Sequence, residues 1–264
     1  FHGVGPFELA TGVPKKNKQY PDYTDVFSKT LIRLAAEDPD IVAVTAAMPE
    51  GTGLAAFGRR YPQRCFDVGI AEQHAAGGMK PVVAVYSSFL QRGFDQVLHD
   101  VCIQNLPVVF AIDRAGLVGA DGETHQGVFD LSYLGCIPNM TILAPKNCFE
   151  LEEELRFAFS YGGPIAIRYP RGKAYRGLAE FREPIRFGKA ELIFREEKTA
   201  LLALGSMVST AEHVREKLKA LGQPCTLVNM RFAKPIDKDM LAELAETHEN
   251  FVTLEENVLR GGFG

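Results

Sequence analysis

Pro81-Val82-Val83-Ala84-Val85-Tyr86 is the stretch on which the fold turns. Successive side chains of a strand point to opposite faces, so a strand with one wet face alternates apolar and polar residues. Here Val82 through Tyr86 are apolar at every position and mostly β-branched. Such a strand is buried on both faces, which is the condition of a parallel sheet covered by helices. The pattern repeats outward. After it, Leu90, Phe94, Val97, Leu98 and Val101 form an apolar stripe that predicts an amphipathic helix over Phe89–Gln104, and Pro107–Ile112 is a second buried strand. Met140–Ala144, Phe149–Tyr161 and Ile165–Tyr169 predict strand, helix, strand. Before it, Tyr23, Phe27, Leu31 and Leu34 recur at helical spacing to about Ala36, followed by a strand at Ile41–Thr45 and a helix at Leu54–Arg60. Strands alternating with helices in this way predict an α/β fold with a parallel sheet.

From Pro170 to Pro184 the pattern lapses into Arg, Gly, Glu and Pro, as a linker does. A second, smaller α/β unit follows: strand Ala200–Leu204, helix Thr210–Leu221, strand Thr226–Met230, helix Lys238–Thr247 and strand Phe251–Leu254. Residues 1–20 carry Gly, Pro and Lys without periodicity and read as an arm or connector. The expected organisation is therefore a connector over 1–20, a main domain over 21–172, a linker over 173–188 and a second domain over 189–264. There is no internal repeat.

The chain has 264 residues, 46% of them apolar and 23% charged, with a net charge of −4. That composition is globular and argues against a nucleic-acid or acidic-membrane surface. No apolar run approaches membrane-spanning length. The five cysteines are scattered and form no CxxC pair. Four lie in or beside apolar runs, so free buried thiols are expected rather than a disulfide framework or a zinc site. The start at Phe1 and the end on Gly-Gly-Phe-Gly read as a piece of something longer.

Ligands of open parallel sheets sit beyond the carboxyl ends of the strands, and four stretches fall there. Asp67-Val-Gly-Ile70-Ala-Glu72-Gln73-His74 turns at Gly69 and then presents a carboxylate, an amide and an imidazole in succession. Glu72 is either a helix-start carboxylate or a buried acid sharing its proton with a ligand, since an apolar site raises a carboxyl pKa toward neutrality. Tyr86-Ser-Ser-Phe89-Leu-Gln-Arg92 follows the first buried strand; Phe89 is either core or a ring placed to stack on a ligand. Residues 113–127 form a long loop with four glycines, of a length that is usually functional. In it His125 and Asp121 suit proton transfer and Arg114 suits an anion, although an ordinary surface loop would also carry polar residues. Arg168 and Arg171, in Arg168-Tyr-Pro-Arg171-Gly172, are either surface arginines or donors to a phosphate-bearing substrate.

With these residues assembled, the chain resembles the 1-deoxy-D-xylulose-5-phosphate synthases, thiamine-diphosphate-dependent enzymes of the transketolase superfamily. The runs FDVGIAEQHA, YSSFLQRGFDQVLHDV, AIDRAGLVGADGETHQGVFDLSYL, RYPRG and MRFAKPID carry the likeness, which extends over nearly the whole chain. It implies a parallel-sheet pyrimidine-binding domain of transketolase type, followed by a truncated smaller α/β carboxy-terminal domain. It implies that Glu72 is the cofactor-activating glutamate, hydrogen-bonded to the aminopyrimidine of thiamine diphosphate, and that Phe89 stacks on that ring with Ile70 beside it. Tyr86 and Arg92 would line the acceptor site. Asp121 and His125 would handle substrate hydroxyls and protons, Arg114 and Arg171 would hold the acceptor's phosphate, and His2 would reach the site from the connector. The implied reaction is a transferase step that condenses pyruvate with glyceraldehyde 3-phosphate, with loss of carbon dioxide, and feeds isoprenoid, thiamine and pyridoxal synthesis. A homodimer in a bacterial cytoplasm or a plastid is implied as well.

Three departures from the family stand out. The glycine-aspartate-glycine motif that binds the diphosphate through Mg²⁺ belongs to an amino-terminal domain not represented here, so no metal ligand is expected within these residues. After His74 the helix of the family is about two turns short. Gly264 falls inside a glycine-rich motif. Two other readings stand beside this one. The missing domain favours a pyrimidine-domain partner that needs a separate diphosphate-binding chain; a different two-carbon transferase of the superfamily would share Glu72 and Phe89 but should lack the DRAGLVGAD loop.

Overall fold

The computed structural model describes residues 8–12, 21–69 and 79–264. Helix α1 (Tyr23–Glu37) and strand β1 (Ile41–Thr45) open the main unit. Asp22 and Asp25 form a reciprocal capping box at the start of α1, which satisfies amide donors that a helix N-terminus leaves open. Helix α2 (Leu54–Arg60), strand β2 (Cys65–Asp67) and strand β3 (Lys80–Tyr86) follow. The chain continues through α3 (Ser87–Leu90), α4 (Phe94–Gln96), β4 (Val109–Asp113), α5 (Asp130–Gly135), β5 (Thr141–Leu143), α6 (Cys148–Tyr161) and β6 (Ile165–Arg168). The remaining elements are β7 (Glu191–Phe194), β8 (Lys198–Ala203), α7 (Met207–Ala220), β9 (Thr226–Asn229), β10 (Phe232–Lys234), α8 (Lys238–Ala245) and β11 (His248–Leu254).

The first sheet runs β10-β5-β6-β4-β3-β1-β2, and every pairing in it is parallel except that of the edge strand β10. The second runs β11-β8-β9-β7, parallel except for β7. The run around Val82 behaves as its pattern predicts. Val82, Ala84 and Val85 are buried, and the two faces of this sheet feed two separate hydrophobic cores.

One expectation is corrected. Phe89–Gln104 is not a continuous α-helix: α3 passes into a 3₁₀ turn at Gln91–Gly93, then α4, then a π-helical turn over Val97–Cys102. Gly93 sits at the first break, where it weakens a helix interior. In the π turn, Ile103 N donates to Leu98 O and Leu106 N to Val101 O. Bonds between residues five apart widen the turn by about one residue. Val101 and Cys102 can then both face the core together with Val97, and all three are buried.

The cysteines are free: Cys102, Cys148 and Cys225 are buried, Cys65 is half-buried and Cys136 is exposed. Among the described residues no helix is long and apolar enough to cross a membrane.

The two sheets are joined by a shared apolar core, by strand pairing and by buried charge. Strand β10 leaves the second unit and pairs antiparallel with β5 of the first. Beside it Lys146 Nζ lies 3.2 Å from Glu150 and 2.7 Å from Glu191, and Arg231 lies 2.7 Å from Glu150 and 3.0 Å from Glu191. Asn229 Nδ2 also donates to Glu150. All five are buried. Two cations and two carboxylates balance, which is the condition under which buried charge is tolerated.

Candidate active site

Because β6, β4, β3, β1 and β2 are adjacent and parallel, their carboxyl ends form one continuous rim. Register places Tyr86 beside Asp113 and Ile112 beside Arg168. The four stretches singled out from the sequence therefore rise from neighbouring strands. At the β2 end, Asp67 Oδ1 accepts hydrogen bonds from Ala47 N and Gly69 N, and Gly69 turns with φ of +67°. Ile70, Glu72 and His74 lie outside the described residues, as does His2.

At the β3 end the rings converge. Tyr86 and Phe89 are 5.5 Å apart between centroids, and Phe89 and His125 are 5.1 Å apart. The Arg92 guanidinium lies 5.9 Å from the Phe89 centroid and that of Arg114 lies 3.8 Å from the Tyr86 centroid. Burial pushes the Tyr86 phenol up in pKa, against the charge of Arg114. The loop after β1 closes over Tyr86, for a side chain on Gly51 would strike its hydroxyl.

The long loop after β4 is tied at its base. Gly116 and Gly127 exchange backbone hydrogen bonds of 2.7 and 2.8 Å. A Cβ on Gly127 would come within 2.2 Å of Arg114 O, so only glycine fits there. Between these anchors the loop is not irregular, as its composition suggests, but makes two 3₁₀ turns, Gly119–Asp121 and Glu123–His125. They carry Asp121 back over Arg114, whose Nε lies 3.0 Å from one carboxylate oxygen; Arg171 Nε lies 3.1 Å from the other. His125 Nδ1 is 3.0 Å from Thr124 Oγ1. Beside Arg114 and Arg171 opens a cleft of about 430 Å³, lined also by Thr24, Glu50 and Arg59. A larger cavity, about 870 Å³, lies in the second unit against Arg195 and Lys198 and touches none of these residues.

Seven of the sequence-selected residues thus share one rim: Tyr86, Phe89, Arg92, Arg114, Asp121, His125 and Arg171. Arg168 does not join them. It is buried, with Nε 2.9 Å and Nη2 3.1 Å from the two Asp130 oxygens and Nη2 also donating to Glu256 O, so its donors are committed to structure rather than to an incoming phosphate. One residue given no role in the sequence belongs at the rim. Asp113 ends β4, is buried, and accepts a 2.7 Å hydrogen bond from Thr24 Oγ1, while its Oδ1 has no partner. Burial raises its pKa to about 6. The signal was present in the sequence: an acid terminating an otherwise apolar strand. Among the described residues no group of three His, Cys, Asp or Glu side chains is arranged to hold a metal ion.

A parallel sheet whose carboxyl rim carries an aromatic wall beside paired arginines defines an α/β protein with its candidate ligand site at the strand ends. The chain belongs to the transketolase family: the transketolase pyrimidine-binding domain matches residues 19–176 and the transketolase C-terminal domain matches residues 188–264. It is 58% identical, over its whole length, to the 1-deoxy-D-xylulose-5-phosphate synthase of Lachnoclostridium phytofermentans, and 52% identical to that of Heliobacterium modesticaldum. It spans 44% and 42% of the length of those two relatives. Among solved structures, a split-gene transketolase described as an inactive beta4 tetramer superposes with a TM-score of 0.79 at 31% identity, over 92% of this chain and 82% of that one. A transketolase variant from Pichia stipitis shares the fold at a TM-score of 0.73 and 15% identity, over 89% of this chain and 39% of that one.

Proposed function

We propose that this chain supplies the pyrimidine-binding half of the active site of a 1-deoxy-D-xylulose-5-phosphate synthase, which joins pyruvate to glyceraldehyde 3-phosphate with loss of carbon dioxide. The supporting observation is the convergence of Arg114 and Arg171 on one carboxylate, beside the Tyr86–Phe89–His125 wall. Two guanidiniums within about 3 Å of one carboxylate form a position built for an anion, and a phosphate takes the same N–H donors.

Thiamine diphosphate, when bound, supplies the nucleophilic carbon for the condensation. The half-buried ring of Phe89 fits an aminopyrimidine partner, because its neighbours Tyr86 and His125 hold it in place. In this reading Glu72 hydrogen-bonds that ring and Ile70 packs beside it. Arg114 and Arg171 orient the acceptor by its phosphate, and Asp121 holds their geometry before substrate arrives. His125 exchanges protons with the substrate oxygens from beside Phe89. Tyr86 and Arg92 close the acceptor side, and His2 enters from the connector. Mg²⁺ would be held by residues outside this chain, since the family's glycine-aspartate-glycine motif is not among these residues. We place the protein in the cytoplasm as a homodimer, with residues 21–172 and 189–264 as its two domains.

The test is the whole polypeptide that carries this chain, assayed with thiamine diphosphate, Mg²⁺, pyruvate and glyceraldehyde 3-phosphate. Formation of 1-deoxy-D-xylulose 5-phosphate is expected. Arg114→Ala and Arg171→Ala should each raise KM for the phosphorylated acceptor about tenfold, the value of a lost charge-assisted bond. Ketol transfer between sugars, without pyruvate decarboxylation, would instead identify another transferase. Activity only on adding a separate chain would identify a partner half.

A further inference from the structure

The loop that carries Asp121 and His125 does not stand on its own anchors alone. Its first residues lie against Glu256, just past the end of β11 in the second sheet. Leu117 N donates to Glu256 Oε1 at 3.3 Å, and a Cβ on Gly116 would come within 2.8 Å of Glu256 Oε2. Ser206 Oγ, at the start of α7, donates to Glu256 Oε2. The backbone of the same residue is held from below by Arg168 Nη2, at 3.1 Å. Two residues on, Val258 N donates to Val128 O at 2.9 Å, just past the loop's far end. Further out, Asn257 Nδ2 donates to Ser132 Oγ, and Ser132 Oγ to Arg260 O, on α5. The segment 256–260 therefore touches both feet of the loop and the helix that follows it.

We propose that Glu256 is a positioning residue for the acceptor site. Its carboxylate fixes Gly116 and Leu117 and thereby the angle at which the loop returns Asp121 onto Arg114 and Arg171. The second domain thus sets the geometry of a site to which it gives no side chain of its own. Gly116 turns at a φ of +81°, which favours glycine, and a Cβ there would also meet the Glu256 side chain at 2.8 Å. A one-carboxylate latch suits this place, since one oxygen faces the loop amide while the other is held by Ser206 and cannot swing away.

The inference rests on the proposed function for its kinetic arm, and hydrogen exchange tests it separately. In the whole polypeptide, Glu256→Ala should speed amide exchange about tenfold in peptides covering 114–128, the scale of one lost bond to a charged group. Exchange in peptides covering β4 and β6 should not change. KM for glyceraldehyde 3-phosphate should rise several-fold while KM for pyruvate holds. Glu256→Gln, which keeps an acceptor for Leu117 N and a partner for Ser206, should restore most of the protection and most of the KM. Unchanged loop exchange in Glu256→Ala overturns the proposal, as does equal loss of protection throughout the sheet. So does an equal rise in both KM values. If the wild-type protein makes no 1-deoxy-D-xylulose 5-phosphate, the functional reading fails and exchange alone decides the latch.

Discussion

Replacing Glu154 by Met should stabilise this protein. Glu154 lies on α6, four residues after Glu150, and is fully buried. Neither of its carboxylate oxygens has a hydrogen-bond partner. The neighbouring cations, Lys146 and Arg231, are already matched by Glu150 and Glu191. A fifth charge has nothing left to pair with. Burial, and then the Glu150 charge, accordingly push the Glu154 carboxyl well above the usual range, whereas Lys146 and Arg231 hold Glu150 below it despite its burial. The protonated acid still leaves buried polar atoms unsatisfied, at about 1–3 kcal/mol. Met has nearly the same length and no such atoms, so Glu154→Met should gain about that much at pH 4. The sign of the pH dependence follows from the raised folded-state pKa. As pH rises above about 4.3 the unfolded chain releases this proton and the folded chain keeps it, so wild-type stability falls by up to about 1.4 kcal/mol per pH unit until the folded pKa is reached. The variant lacks that decline, and the gap between the two proteins should widen with pH. Urea denaturation of both proteins between pH 4 and 8 measures it, with Tm rising about 2–4 °C per kcal/mol gained. A variant less stable than wild type at neutral pH, or a gap that does not change with pH, would refute the reasoning.

Three further outcomes are expected. Arg168→Met leaves Asp130 buried and unpaired and should cost about 3–5 kcal/mol in urea denaturation; a loss below about 1 kcal/mol would show that water reaches Asp130. Asp113 has a folded-state pKa raised to about 6 from 3.8, so this group by itself should lower stability by about 3 kcal/mol as pH rises from about 4 to about 6, in addition to the decline from Glu154. Asp113→Asn should remove that share of the decline, leaving the part due to Glu154, while Thr24 still donates to the amide oxygen; an unchanged profile would mean that Asp113 ionises freely. Phe89→Ala should weaken thiamine diphosphate binding in the whole polypeptide about three- to tenfold by calorimetry, the worth of one ring stack; unaltered affinity would mark Phe89 as core.

What the sequence by itself determined was whatever depends on local periodicity and on residue chemistry. Uninterrupted apolar runs at Val82–Tyr86 and Val109–Ile112 can be stable only when both faces are covered, so the parallel sheet and its rim of loops followed from the pattern alone. The rim then pointed to Phe89, Arg114, Asp121, His125, Arg168 and Arg171, and the family resemblance added Tyr86 and Arg92. What only the tertiary structure decided was which partner each polar group takes. Arg168 and Arg171 are three positions apart and equally basic, yet one is spent on Asp130 and the other reaches Asp121. The strands Glu191–Phe194 and Phe232–Lys234 are too short to show a period and exist because β9 and β5 offer them edges. Residues 89–104 carry a good helical stripe but bend into a π turn, because the core takes Val101 and Cys102 together. Glu256 lies 139 residues beyond Leu117, and a contact at that separation leaves no trace in local spacing. It forms because β11 and β4 belong to different sheets whose ends the fold brings together.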